Sequence, residues 1–185
     1  MSILDMGTHK QEQIVEAIKA AAPIVQEALD KTGLQDKEFV KMMQQGISPA
    51  DIIGLTEEEL NALFTMGIQF MNAGQVEKAR DIFETLTMLN QDDNRFTYAL
   101  ATTHQVDGNF SLAAKLYMMF LAMEATNVEG YLRVSECLMG AKEFDEAIDT
   151  CEIAIALVPE YGTDAQKAHA EGLIATINDI KAQQE

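Results

Sequence analysis

An internal repeat with a period of 34 constrains the fold of this chain more than any other feature of its sequence. At an offset of 34, three alanines coincide, namely Ala79, Ala113 and Ala147. Four positions after these alanines stand Phe83, Tyr117 and Cys151, respectively. In a helix, positions four apart lie on one face, so each small side chain is followed by a larger one on the same face. A period of this size indicates supersecondary units that stack to bury a shared core.

The period and the small-then-aromatic pattern are typical of tetratricopeptide repeats, in which each repeat is a helical hairpin. Abundant Ala, Leu, Met, Glu and Gln also favour helices. We predict repeats at 60–93, 94–127 and 128–161. The predicted fold class is all-α, with three tandem tetratricopeptide repeats, N-terminal helices and a C-terminal capping helix. The corresponding segments are 1–56, 57–161 and 162–185.

Capping residues predict where helices begin. Thr56 and Glu59 have the spacing of a capping box at the start of the first repeat helix. Ser48 is a predicted N-cap with Pro49 at the first helical position, and Thr163 is the predicted cap of the final helix. The turns between paired helices are predicted at Gly74 and Gly108, and the matching residue of the third copy is Lys142.

An apolar stripe precedes the repeats. Ile14, Ile18, Ala21, Val25 and Ala28 recur at heptad-like spacing. Pro23 interrupts the stripe and predicts a kink in the helix that carries it. The pattern alone is equally compatible with packing on the chain's own repeats and with a dimer contact. For the dimer, the predicted contact residues are Ile14, Ile18 and Val25.

The formal net charge of −17 limits the partners of this chain. It disfavours binding to nucleic-acid phosphates and to anionic membrane surfaces. No apolar run approaches the roughly 18 residues of a transmembrane helix, and no secretory signal pattern is present. We therefore expect a cytosolic protein without stable membrane association. Cys137 and Cys151 are then expected to be reduced thiols.

Nothing in the sequence indicates catalysis. There is no P-loop, no glycine-rich phosphate loop and no Ser/His/Asp or Cys/His arrangement. The three histidines are scattered and the two cysteines do not form a metal-binding pair. We predict a binding protein that is not an enzyme and has no cofactor and no metal.

The first helix of each repeat has a second face, formed by repeat positions 2, 5, 9 and 12, which lines the concave groove in tetratricopeptide folds. In the first repeat the apolar residues Phe64, Ile68 and Met71 lie on this face, at positions that the repeat core does not need. An apolar groove favours a hydrophobic peptide partner over coverage by the N-terminal region or a neighbouring subunit. The predicted peptide-binding residues are Phe64, Ile68, Met71, Arg95, Tyr98, Thr102, Gln105, Leu132 and Met139.

Several segments resemble the class II chaperones of type III secretion translocators. These segments are 46–48 and 51–55, leading into Leu60, Leu63 and Phe64, together with 93–96, 107–113 and 136–139. The similarity extends over roughly residues 46–160. The groove aromatics of that family fall on Phe64, whereas Ile68 and Met71 replace bulkier groups.

The resemblance implies an ATP-independent chaperone of the bacterial cytoplasm that keeps hydrophobic translocators, which are virulence proteins, from aggregating before export. Such chaperones bind an extended Pro-x-Leu-x-x-Pro-like client segment in the concave groove. Many dimerise through N-terminal helices, and some assist a transcription activator. The alternative interpretation of the repeats is a generic tetratricopeptide adaptor or scaffold that joins soluble proteins and has a regulatory role.

Overall fold

The computed structural model describes Gln45 and residues 47–183, and these residues form helices and no strand. The helices are α1 (Pro49–Ile53), α2 (Glu57–Asn72), α3 (Val76–Leu89), α4 (Asn94–Val106), α5 (Phe110–Met123), α6 (Val128–Gly140), α7 (Phe144–Tyr161) and α8 (Asp164–Ala182). None of these helices is long and apolar enough to cross a membrane. The predicted all-α fold is confirmed.

The helices repeat at the predicted period. The second helices of the three hairpins, α3, α5 and α7, begin one period apart, at Val76, Phe110 and Phe144. Three hairpins followed by α8 confirm the tandem repeats with a C-terminal capping helix. The chain divides into two compact units, residues 1–96 and 97–185, each of which is described by itself. The segment limits 1–56, 57–161 and 162–185 stay a prediction.

A left-handed residue lies in each hairpin turn. The φ angles of Gly74, Gly108 and Lys142 are 71°, 75° and 66°. The Gly74 and Lys142 amides donate hydrogen bonds of 3.0 Å to carbonyls three positions earlier, which closes the turn after the first helix of each hairpin. A left-handed backbone suits glycine because glycine has no Cβ. Among the described residues, Lys142 is the one non-glycine residue with positive φ.

In the first unit, α2 packs against α3. The buried side of α3 consists of Ala79, Ile82, Phe83, Leu86 and Leu89. From α2, Gly67 approaches the Phe83 ring so closely that a side-chain carbon at position 67 would overlap the ring. The absence of a side chain at Gly67 is therefore what permits this helix crossing.

In the second unit, α6 packs against α5, α7 and α8, and two apolar clusters form the core. The first cluster joins α4, α5 and α6 through Ala101, Ala113, Ala114, Tyr117, Phe120, Leu121, Val134 and Cys137. The second joins α6, α7 and α8 through Val128, Leu132, Cys151, Ala154, Val158, Ala170 and Leu173. The final helix thus contributes to the core as well as closing the repeat array, as capping helices do.

The predicted helix caps are present. The Thr56 hydroxyl accepts a hydrogen bond from the Glu59 amide, and the Thr56 amide donates to Glu59 Oε2 at 2.9 Å. Ser48 with Asp51, and Thr163 with Gln166, form the same reciprocal pair. Each box satisfies two groups at a helix start that would otherwise lack partners.

Candidate functional site

The predicted groove residues of the first unit form a half-exposed apolar face on α2. Phe64 is half-buried, and its ring centroid lies 5.7 Å from that of Phe83 and 5.6 Å from that of Phe96. Ile68 and Met71 follow at spacings of four and three positions, so they share the side of the helix that carries Phe64. Ile68 remains 37% exposed. Phe64 therefore contributes to the core as well as to the surface, which corrects the prediction that it lies off the repeat core.

Arg95 lies over the Phe64 ring. Its guanidinium carbon is 5.5 Å from the ring centroid, which is cation–π geometry. Arg95 Nη2 donates to Asn61 Oδ1 at 2.9 Å, and Arg95 Nε donates to Asp93 Oδ1 at 2.9 Å. The hydrogen bond to Asp93 raises the pKa of Arg95, so the side chain stays charged. We call Phe64, Ile68, Met71 and Arg95 the Phe64 face.

Tyr98 has the corresponding place in the second unit. It is half-buried, and its ring meets those of Tyr117 and Phe120 edge-on, at centroid distances of 5.2 and 5.0 Å. Edge-to-face pairs of this kind stabilise aromatic clusters beyond simple area burial. Burial raises the pKa of Tyr98, so its hydroxyl is neutral at physiological pH and can donate a hydrogen bond.

Thr102 and Gln105 belong to a polar network beside Tyr98. The Thr102 and Tyr117 hydroxyl oxygens are 3.0 Å apart, and the Tyr117 hydroxyl donates to Gln105 Oε1 at 2.8 Å. Gln105 Nε2 in turn donates to Glu136 Oε2 at 2.8 Å. These two predicted binding residues are therefore positioned by partners within the chain. We call Tyr98, Thr102 and Gln105 the Tyr98 face.

Arg133 and His169 lie at the edge of this network and are not among the residues predicted from the sequence. Arg133 pairs with Glu129 at 2.9 Å and with Glu136 at 3.1 Å. His169 Nε2 lies 3.2 Å from Glu136 Oε1. The spacing of Arg133 from the two glutamates, four and three positions, is the helical ion-pair spacing that could have identified it. No local spacing could have found His169, because it comes from α8.

Leu132 is not exposed to a partner. The residue is fully buried in the cluster that includes Ala170 and Leu173 of α8. Met139 is half-buried against the same cluster. The prediction of Leu132 as a peptide-binding residue is corrected accordingly, since the final helix covers this part of α6. The predicted dimer contacts Ile14, Ile18 and Val25 lie outside the described residues.

The thiols and acidic groups of the described residues do not assemble a metal site. No group of three or more His, Cys, Asp or Glu side chains there could hold a metal ion. The two cysteines are both free and fully buried. Burial raises the pKa of the Cys137 thiol to about 12 and also raises that of Cys151.

The comparison with known sequences finds a distant relative. No family model matches the chain. The low calcium response locus protein H of Yersinia pseudotuberculosis is 26% identical over 110 residues, which are 58% of this chain and 66% of that protein. The chain therefore spans slightly less than two thirds of the length of this relative.

The comparison with solved structures finds the same fold in two chaperones. PcrH of Pseudomonas aeruginosa, in complex with the chaperone binding region of PopD, is 26% identical with a TM-score of 0.61, covering 71% of this chain and 98% of that chain. The type III secretion chaperone SycD of Yersinia enterocolitica, in complex with a peptide of the translocator YopD, is 23% identical with a TM-score of 0.61, covering 70% and 98%. SycD has also been solved as an alternative dimer. The resemblance to type III secretion translocator chaperones is confirmed.

Proposed function

We propose that this chain is an ATP-independent chaperone of the bacterial cytoplasm that binds hydrophobic type III secretion translocators and prevents their aggregation before export. It acts as a binding protein and not as an enzyme. The proposal is supported by the likeness to PcrH and SycD, each of which was solved with a translocator segment. The observation that carries it is that repeats 1 and 2 each present a half-exposed aromatic residue, Phe64 and Tyr98, at the same repeat position.

The Phe64 face can bind an apolar client side chain because part of its apolar surface is solvent-exposed. Each apolar client anchor that becomes fully buried contributes roughly 1.5–3 kcal/mol to binding. The supporting contacts to Phe83, Phe96, Asn61 and Asp93 fix the Phe64 and Arg95 side chains before the client arrives. A face that is already ordered loses little conformational entropy on binding.

An extended Pro-x-Leu-x-x-Pro-like segment suits such faces. Proline-rich segments populate an extended conformation when free, so they lose less entropy when they bind. Their backbone carbonyls lack internal hydrogen bonds and need donors from the chaperone. The charged Arg95 guanidinium is the donor that lies beside the Phe64 ring.

Client protection follows from mass action and needs no ATP. A binding partner that recognises one state of the client stabilises that state by an amount set by its concentration relative to Kd, about 2.7 kcal/mol at 100 times Kd. The strongly negative charge of the chaperone, −17, keeps the complex dispersed while the apolar client segment is covered.

The proposal includes a homodimer, with Ile14, Ile18 and Val25 as its contact residues. It also includes a transcription activator as an additional partner once the client has been exported. Nucleic acid is not a proposed partner, because the net charge opposes contact with phosphates.

The test is a fluorescence-anisotropy titration of labelled Pro-x-Leu-x-x-Pro peptides from translocators. Ile68→Glu is the preferred variant because Ile68 is exposed, whereas Phe64→Glu would also disturb the contacts with Phe83 and Phe96. Loss of one apolar contact predicts a Kd increase of about tenfold or more. Ile153→Glu on α7 is the matched control, since Ile153 is 47% exposed and lies outside both faces.

Saturable binding that Ile68→Glu weakens and Ile153→Glu preserves supports the chaperone function. If the folded wild type binds none of these peptides, the chain is better explained as a generic tetratricopeptide adaptor. If wild type and Ile68→Glu bind the peptides with equal affinity, the Phe64 face is not part of the binding site.

A further inference from the structure

One side of α5 is apolar and exposed. Leu112, Met118, Met119 and Met123 are between 45% and 58% exposed. At 3.6 residues per turn, these four residues and Lys115 fall within one continuous side of the helix. The opposite side packs Ala113, Tyr117 and Phe120 into the core. We call the exposed residues Leu112, Lys115, Met118, Met119 and Met123 the α5 face.

Among the second helices of the three hairpins, apolar residues at positions 112 and 118 are peculiar to α5, whereas Met119 has an exposed apolar counterpart on α7, Ile153. The three exposed positions 112, 115 and 118 have counterparts one period earlier on α3 and one period later on α7. Those counterparts are all charged, and they are Lys78, Asp81 and Glu84 on α3, and Glu146, Asp149 and Glu152 on α7. On α5 the same positions hold Leu112, Lys115 and Met118, and the helix contains no acidic residue. Repeat architecture therefore does not require an apolar α5 face.

Charge indicates which partner fits this face. Two copies of a chain with a net charge of −17 repel each other, and the repulsion is strongest where acidic side chains meet. The α5 face is a surface where two copies can meet without opposing carboxylates. An identical face is also apolar, so pairing removes both faces from water.

An antiparallel arrangement matches the single charge on the face. If two α5 helices cross antiparallel at Met118 and Met119, Lys115 of each copy lies beside the C-terminal end of α5 in the other copy. Helix C-terminal ends present carbonyl groups that favour a nearby cation. The two-fold arrangement makes this favourable contact twice, as an isologous interface does.

We propose that the α5 face is a self-association surface that pairs with the α5 face of a second copy of this chain. The residues of this contact are different from the predicted N-terminal contact residues Ile14, Ile18 and Val25. Four half-exposed Leu and Met side chains per copy bury less than the roughly 1,000 Å² that specific interfaces usually exceed. The pair is accordingly weak and depends on concentration. Methionine suits such a contact because its side chain adapts to the opposing surface.

The experiment is sedimentation analysis of the full chain over a hundredfold concentration range. Met119→Glu places a carboxylate at the centre of the face, where it would meet its own counterpart. We expect its association constant to be at least tenfold lower than that of wild type. The matched control is Met88→Glu, because Met88 is also about half exposed but lies on α3. Circular dichroism establishes that both variants keep their helix content.

Lys115→Glu provides a second measurement, because it reverses the charge beside the opposing helix end and is also expected to weaken association. Weaker association of Met119→Glu and Lys115→Glu, with Met88→Glu behaving as wild type, supports the proposal. Met119→Glu associating as strongly as wild type overturns it. A wild type whose average mass does not rise with concentration over this range also overturns it.

Discussion

Replacement of Lys142 by glycine is expected to stabilise the protein. Lys142 has φ of 66° in the turn between α6 and α7, and the matching residues of the other two hairpins, Gly74 and Gly108, have nearly the same φ. The hydrogen bonds are also equivalent, since the Glu143 amide donates to the Leu138 carbonyl at 2.9 Å as the residues after the two glycines do five positions back. The Lys142 side chain is exposed, so its removal leaves no cavity.

The magnitude follows from two opposing effects. A side chain in the left-handed region costs about 1–2 kcal/mol because Cβ approaches the carbonyl oxygen. Replacing Lys142 by glycine removes this cost, but glycine loses more backbone entropy on folding, which offsets about 0.4–1 kcal/mol of the stabilisation. The net stabilisation expected for Lys142→Gly is about 0.5–1 kcal/mol. For a chain of this length, that corresponds to an increase in Tm of roughly 1–4 °C.

Urea unfolding followed by circular dichroism measures the change as a higher midpoint at unchanged slope. Lys167→Gly is the matched control because it removes the same charge from an exposed site inside α8. Glycine within a helix is destabilising by roughly 0.5–1 kcal/mol, so this control is expected to shift the midpoint in the opposite direction. A Lys142→Gly variant that is no more stable than wild type would show that the left-handed backbone at position 142 does not destabilise the protein.

Three further predictions concern the core, the thiols and the N-terminal stripe. Leu132→Ala is expected to lower the free energy of unfolding by about 2–5 kcal/mol because it leaves a cavity under α8. The folded variant is expected to bind the peptide with unchanged affinity. A weaker affinity of the folded variant would show that Leu132 is part of the binding site. Cys137 and Cys151 should react with a thiol reagent far more slowly in the native protein than in urea, since both are buried with raised pKa values; equal rates would contradict their burial. Deletion of residues 1–32 is expected to yield a monomer by light scattering at dilutions where α5 faces do not pair, and a dimer that persists there would reject the N-terminal contact.

Local features of the fold were predictable because they depend on short stretches of chain. The capping boxes at Ser48, Thr56 and Thr163 follow from side chains that bond backbone groups three positions away. The matched turns follow from the repeat period, which aligns Lys142 with two glycines without reference to any backbone angle. Such signals require no knowledge of what the helix packs against.

Exposure within the candidate site was less predictable, because it depends on which element packs next to each helix. Phe64, Tyr98 and Leu132 have the same repeat position, and the pattern treats them as equal. The first two are half-buried, whereas Leu132 is fully buried beside Ala170 and Leu173 of α8. The repeat period ends with the third repeat and carries no information about the helix that follows it. A capping helix that completes the core of the last repeat necessarily takes up part of the surface that earlier repeats leave open. Apolar client anchors are therefore expected at Phe64 and Tyr98, and not at Leu132.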